Sequence, residues 1–491
     1  LQQADQAIKS AIRQFCLPVF CPVAKSALLL LQIFRRPLSC IPATNHEFSN
    51  IDRRTNPCHN PAHRIMKLRN QLLALACLVA FIGFGFVFFH KWVEQKPFGI
   101  IVFVGDGLTT GNITAARLFD GGADNRLALE RFPNVAILSN HANDFAVPDS
   151  AAAASAISTG RKVDNRSIAT DTTGKALATI LELAREHGRS TGLITTGNLT
   201  DAGAAAFYAH ATNFTDTQNL AAQLADSAKI NVILGGGAST FAPESKGGLR
   251  KDGRDLLLEL KQKGQQVVRS KAELENVSSF LTSNLIGVFS NANLAYSNKI
   301  ESGSQQPSLS DMVRRAIEFL QFNTSGYVLV VDSELSGRAA EQNDGEHTLT
   351  EIIDLDRAIK TAVDNAGKNT LIIAVGKHAT GGMSLNGYPL RQDHGVALLG
   401  TNAFGYPSIT WATGPNGQDN APTPSASASP APSPTESAVQ TTNKSEPAAF
   451  LAPTAINNAG DVIAVGTGPN SQKLKGFLDN TFVFKLVEEN L

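Results

Sequence analysis

From residue 98 to the carboxyl terminus, short apolar runs alternate with amphipathic helical patterns, and this alternation restricts the folds open to the chain. The runs fall at 99–104, 134–138, 191–196, 231–234, 285–289, 326–331 and 370–375. Helical patterns lie between them at 175–187, 254–263, 310–321 and 349–365. Runs of this length without polar alternation read as strands buried on both faces. Alternating strands and helices then predict an α/β fold, with a central, mostly parallel sheet and helices on both faces. In such sheets the working residues collect just past the carboxyl ends of strands. Asp106, Asp332 and the pair Lys377-His378 stand there. A last strand at 461–466 and a last helix at 480–489 return the chain to the domain.

Three stretches fall outside this pattern. Residues 1–65 mix Cys, Pro, Arg and Asn without a period; they read either as an upstream extension, to be excluded from the fold, or as a poorly ordered leader. Met66 begins a segment, 66–97, whose stretch 72–89 carries no charge and is long enough to cross a bilayer core. Arg64, Lys67 and Arg69 precede it and only Lys91 and Lys96 follow it, a small asymmetry that places the amino end inside, so the segment is expected to anchor the body on the periplasmic or extracellular face. The region 415–447, with its Pro/Ala/Ser-rich centre at 421–437, cannot pack a core and reads as a disordered surface insertion. All five cysteines lie within the first 77 residues, so the body has no thiol chemistry and no zinc ribbon. Lys+Arg 43 against Asp+Glu 43 leaves no basic excess, which argues against nucleic acid as a partner.

Four ordered segments of the body resemble the alkaline phosphatases: 100–111 (IIVFVGDGLTTG), 147–162 (VPDSAAAASAISTGRK), 189–210 (RSTGLITTGNLTDAGAAAFYAH) and 377–389 (KHATGGMSLNGYP). The resemblance covers nearly all of 98–491 apart from the insertion. It implies the alkaline-phosphatase-like version of the α/β fold and hydrolysis of phosphate monoesters through a phosphoserine, with two zinc ions and one magnesium ion. It also makes a homodimer an expectation. By resemblance, Asp106 matches an aspartate shared by a zinc and the magnesium, and Ser150 the nucleophile. Asp201 matches an acidic position near the magnesium, and His378 a histidine of the second zinc site. Ser150 heads an alanine-rich helix, where free N–H groups and the helix dipole favour a phosphate.

The same resemblance exposes departures. After the strand at 328–331 the family reads Glu-x-x-x-x-Asp-x-x-x-His, whereas this chain reads Asp332, Gly337 and Glu341. Lys377 stands where a metal-binding aspartate belongs, Asn457 where a histidine does, Gly203 where a Thr or Ser does, and Phe214 where the phosphate-clamping arginine does. The first zinc site is therefore expected to be lost, because one plausible ligand remains where tetrahedral coordination needs three or four. The second would be shared by Asp106, His378 and Ser150 with the Lys377 ammonium among them. Magnesium fits better, held by Asp106 and Asp332 with waters. Lys377 either contacts the substrate phosphate in place of lost metal charge or neutralises leftover carboxylates. Asp344, Glu346 and His347 form a second cluster, read either as a rebuilt metal site or as a helix cap.

Two functions follow. One is phosphomonoester hydrolysis with weak or lost activity. The other is a degenerate homologue that binds phosphate esters or polyanions at the outer face of a membrane.

Overall fold

The structure, a computed structural model, describes residues 70–85, 99–301, 304–386, 399–400, 406–417 and 446–491. The expectations for 1–65 and for the core of the insertion lie outside the described residues.

Ten strands form one sheet. Eight come first in the chain: β1 (Gly99–Gly105), β2 (Asn134–Ser139), β3 (Ser190–Asn198), β4 (Val232–Gly236), β5 (Gln266–Val268), β6 (Leu285–Val288), β7 (Tyr327–Ser333) and β8 (Thr370–Gly376). Five short strands follow outside it: β9 (Ala379–Thr380), β10 (Ser384–Leu385), β11 (Ile409–Gly414), β12 (Ala448–Leu451) and β13 (Asn457–Asn458). The chain then returns with β14 (Val462–Thr467) and β15 (Gly476–Asp479). The order across the large sheet is β15-β2-β14-β8-β1-β7-β3-β4-β6-β5. Only β14 runs against its neighbours β2 and β8; all other pairings are parallel. The expected mostly parallel α/β sheet is the one observed.

Its centre is buried for the reason the apolar runs suggested. Every residue of β1, β7 and β8 is buried. Alternate side chains feed two cores, one on each face: Ile100, Val102 and Val104 on one, Ile101 and Phe103 on the other. The helix Leu309–Leu320 covers the second face with Met312, Val313 and Ala316, and the helix Gly345–Asn365 does so with Ile352, Leu355 and Ile359.

Helix starts follow capping rather than hydrophobic period. The pattern at 175–187 yields a helix only from Ile180 to Glu186, because Thr179 and Glu182 close a reciprocal capping box. The pattern at 349–365 begins four residues early, at Gly345, because the Asp344 carboxylate accepts from the His347 N–H. Within the large sheet, the strands missed by sequence, β5 and β15, are the two edges, where pairing on one side suffices and apolar runs are not needed. On β15, Phe477 is largely exposed.

The membrane anchor expected at 72–89 is not supported. A helix occupies 70–85, and residues 86–89 lie outside the described residues. Among the described residues no helix is long and apolar enough to cross a membrane.

Candidate active site

The parallel register aligns three strand ends and thereby gathers charge. Gly105 lies opposite Ser333 on one side and Gly376 on the other, so the residues following β1 and β8 and the last residues of β7 emerge together. Backbone bonds carry the ladder one step further: Asp106 N–H donates to the Ser333 carbonyl (3.1 Å), Lys377 N–H to Gly105 (2.9 Å) and Gly107 N–H to His378 (2.9 Å). Asp106, Asp332, Lys377 and His378 are thus fixed by backbone before any side-chain contact forms.

Above them lies a cavity of about 300 Å³ whose wall includes Asp106, Ser150, Asp201, Arg338, Glu341 and His378. Ser150 enters as the first residue of the helix Ser150–Thr159. Asp149 caps that helix: one carboxylate oxygen accepts from Ala152 N–H (2.8 Å), the other from Arg166 N–H (2.6 Å). The alanines 151–154 are buried, so the helix packs closely and its first residue is held at the cavity. Ser150 Oγ is itself buried and has no hydrogen-bond partner.

His378 shows which of its nitrogens faces the cavity. Thr380 Oγ1 donates to Asn457 Oδ1 (3.1 Å), and the Asn457 amide nitrogen donates to the Pro148 carbonyl (3.1 Å). With its one proton spent, Thr380 Oγ1 accepts from His378 Nδ1 (3.0 Å). The Nε2 lone pair therefore points at Asp106 Oδ1, 3.2 Å away, and neither atom has a donor. Burial, helped by the neighbouring Lys377 ammonium, pushes His378 down to about 3, so the ring is neutral. Two lone pairs facing one another in a buried site call for a proton or a cation between them.

Lys377, expected at the substrate, is not presented to it. Its side chain is fully buried, with Nζ 2.5 Å from Glu334 Oε2, 3.1 Å from Asp106 Oδ2 and 3.6 Å from Asp332 Oδ1. The ammonium also lies between the two carboxylates expected to hold magnesium. Asp332 accepts in addition from Thr195 Oγ1 (2.9 Å). Asp201 accepts from Asn198 N–H (3.1 Å) and lies 3.5 Å from Arg338.

Two residues of the site escaped sequence reasoning. Glu334 and Arg338 follow β7 directly, and Arg338 contacts Glu334 (3.1 Å) and Glu341 (3.3 Å) as well as Asp201. The available signal was a second acidic residue two positions past Asp332 with an arginine one helical turn later. The departures at 337 and 341 drew attention to the wrong positions of that turn. Burial would lift Glu334, but Lys377 and Arg338 outweigh it and hold the carboxyl at about 2. Burial raises Asp106 well above the carboxylate range despite Lys377, since three carboxylates share one ammonium. It raises Asp201 and Asp332 to about 6 each, with Glu334 adding to both.

These shifts predict a pH dependence. Asp332 is pushed up, so its contribution to stability is complete below its unfolded value and is lost as pH climbs from about 4 to about 6. Asp332→Asn mimics the protonated form. Its stability relative to wild type should therefore rise between pH 4 and pH 7.5, where only wild type bears the cost of ionising a buried carboxyl. Denaturant titrations at the two pH values check this, and an unchanged or falling difference refutes it.

The cluster Asp344, Glu346 and His347 follows the capping reading. Asp344 holds His347 Nδ1 (2.7 Å), whose ring stacks on Tyr296 at 4.0 Å. Among the described residues no group of three or more His, Cys, Asp or Glu side chains is arranged to hold a metal ion.

Comparison with known proteins adds the following. A family model described as "Alkaline phosphatase" matches residues 99–491. Alkaline phosphatase 4 of Bacillus subtilis is 33% identical over 313 residues, 61% of this chain and 65% of its own length. Alkaline phosphatase 4 of Drosophila melanogaster is 30% identical over 386 residues, 67% of this chain and 64% of its own length. The chain thus spans just under two thirds of these relatives. Among solved structures, the alkaline phosphatase of Thermus thermophilus superposes with a TM-score of 0.61 at 25% identity, covering 82% of this chain and 93% of its own. That of the Antarctic bacterium TAB5 gives 0.62 at 23%, covering 80% and 98%, and shares the fold. A TAB5 variant has been solved with magnesium bound.

Proposed function

This chain belongs to the alkaline phosphatase family, and from that premise we propose that it binds phosphate monoesters and transfers their phosphoryl group to Ser150. The observation that carries the reading is the buried Ser150 Oγ, unpartnered at a helix amino end, in one cavity with the unpartnered Asp106 Oδ1 and His378 Nε2.

The metal complement implied by the family does not fit these residues in full. The resemblance places first-site zinc ligands at 337, 341 and 457. Gly337 has no side chain, Glu341 is paired with Arg338, and the Asn457 amide is spent on Thr380 and Pro148. We therefore take the two-zinc arrangement to be reduced here. Asp106 Oδ1 and His378 Nε2, 3.2 Å apart, are the residues that would hold a single ion. Such an ion would supply charge neutralisation and would acidify a bound hydroxyl.

The chain's own residues do the rest. Ser150 Oγ forms the new bond to phosphorus as the ester P–O bond breaks; the serine proton passes to water, and the leaving alkoxide takes one back from water. Water then attacks the phosphoserine and releases inorganic phosphate. The helix amino end offsets part of the phosphate charge. Arg338 stands at the cavity wall with its Nε unpartnered, in a position to meet a phosphoryl oxygen.

Charge sets the limit on this activity. Asp106, Asp201, Asp332, Glu334 and Glu341 surround the centre, against the two permanent cations Lys377 and Arg338. A phosphate dianion entering this site is repelled unless a divalent ion or protonation offsets the excess. Weak, metal-dependent turnover is the reading this supports. The same charge count favours a second reading, a phosphate-ester binding protein without turnover. Acid-quenched mass spectrometry after incubation with p-nitrophenyl phosphate and zinc separates the two. A phosphoryl adduct on the peptide holding Ser150 is expected; binding without any adduct would favour the second reading.

A further inference from the structure

We propose that the Lys377 ammonium is the resident cation of a three-carboxylate nest formed by Asp106, Asp332 and Glu334, so that this half of the centre is completed by the chain itself and takes no metal ion. The inference stands on geometry and holds whether or not the cavity turns over phosphate esters.

Three features make this a built site rather than a lysine that happens to be buried. First, the nest contacts the ammonium from two separate strand ends: Asp106 from β1, Asp332 and Glu334 from β7. All four side chains are buried, and Asp332 Oδ1 has no hydrogen-bond partner of its own. Second, space is reserved for it. Gly203 leaves that room: a Cβ there would lie 2.5 Å from Lys377 Nζ and 3.0 Å from Asp332 Oδ1, so the ammonium would have to shift out of its nest. Third, charge is supplied for it. Glu334 gives the shortest contact, 2.5 Å, and is aligned by its own N–H donating to Thr196 Oγ1 (3.0 Å). Burial pushes the ammonium toward neutrality, but the three carboxylates outweigh it and keep the group charged.

A magnesium ion prefers an all-oxygen shell at about 2.0–2.1 Å. It would need these same oxygens, and it would have to sit against a fixed ammonium. Lys377 Nζ and the ion are therefore alternatives for one place. Asp106 links the two halves of the centre, with Oδ2 on the ammonium and Oδ1 toward the cavity.

The test is a melting-temperature titration with magnesium chloride on the metal-stripped full chain. Wild type should shift by less than about 1 °C at millimolar magnesium. Lys377→Ala removes the one ammonium that three buried carboxylates share. It should melt roughly 5 °C lower or more without magnesium, and should recover most of that loss when magnesium is added. Gly203→Ala provides a second arm. Alanine ordinarily stabilises a helix position held by glycine. Here its Cβ would push against the ammonium, so the variant should melt below wild type. Magnesium stabilising wild type as much as Lys377→Ala would overturn the proposal. So would a folded Lys377→Ala variant that magnesium does not stabilise, or a Gly203→Ala variant that melts at or above wild type. If Lys377→Ala does not fold with or without magnesium, the wild-type titration and Gly203→Ala decide the matter.

Discussion

Ser150→Ala is expected to reduce p-nitrophenyl phosphate hydrolysis to the buffer rate while leaving the melting temperature unchanged. The two halves of this expectation come from one observation. Ser150 Oγ has no hydrogen-bond partner, so deleting it breaks nothing that holds the fold together. Alanine also suits a first-turn helical position, and the bonds that the Asp149 carboxylate accepts from the Ala152 and Arg166 N–H groups remain. Loss of a nucleophile in an enzyme whose groups act as a unit costs many orders of magnitude. Against the weak turnover proposed for wild type, the expected loss is at least about a hundredfold, limited by background. The assay is run at alkaline pH with added zinc and magnesium. Turnover surviving in Ser150→Ala would mean that water, rather than this serine, attacks phosphorus. A large drop in melting temperature would show that the hydroxyl has a structural partner after all.

The second large effect is expected on restoring the ligands that the family resemblance implies: Gly337→Asp, Glu341→His, Lys377→Asp and Asn457→His together. The combined variant should bind zinc in excess of wild type, read by metal analysis of dialysed protein. It should also hydrolyse p-nitrophenyl phosphate at least about a hundredfold faster, a barrier change of about 2.7 kcal/mol. The structure names the obstacles. A Cβ at 337 would lie 2.6 Å from Asp106 Oδ2, so Asp106 must shift when the lysine that holds it is removed. Asn457 gives up its bond to the Pro148 carbonyl, two residues before Ser150. Glu334 loses the ammonium that neutralises it. The variant should accordingly melt below wild type without metal and regain stability with zinc. Unchanged zinc content would show that positions 337, 341, 377 and 457 do not form one site. Robust zinc-dependent turnover by the wild type would show that the chain already has the donors it needs.

Much of this molecule was legible along the chain because the information is local. A run such as 99–104, apolar at every position, has to be buried on both faces, and seven such runs separated by helices leave little but a parallel sheet. Asp106 and Lys377-His378 directly follow strands β1 and β8, and Asp332 is the penultimate residue of β7. Strand ends in such a sheet converge, so their meeting was implied by topology alone. Ser150 was likewise readable, since an Asp-Ser pair before an alanine run states a cap and a helix start in adjacent residues. The edge strands β5 and β15 were not readable, because an edge needs one partner and its side chains stay partly in water.

What the tertiary structure decided is which charge faces which. Lys377 and Glu334 are 43 positions apart, Thr195 and Asp332 are 137 apart, and Asn457 reaches Pro148 across 309. No local pattern distinguishes a lysine that touches substrate from one sealed beneath the site, because both need only a strand end and a long side chain. The choice is made by solvation. A buried ammonium persists only where several carboxylates are already within reach and where a neighbour, here Gly203, leaves it room. Those conditions are distances between segments remote in the chain, and they exist only once the sheet has brought β1, β7 and β8 side by side.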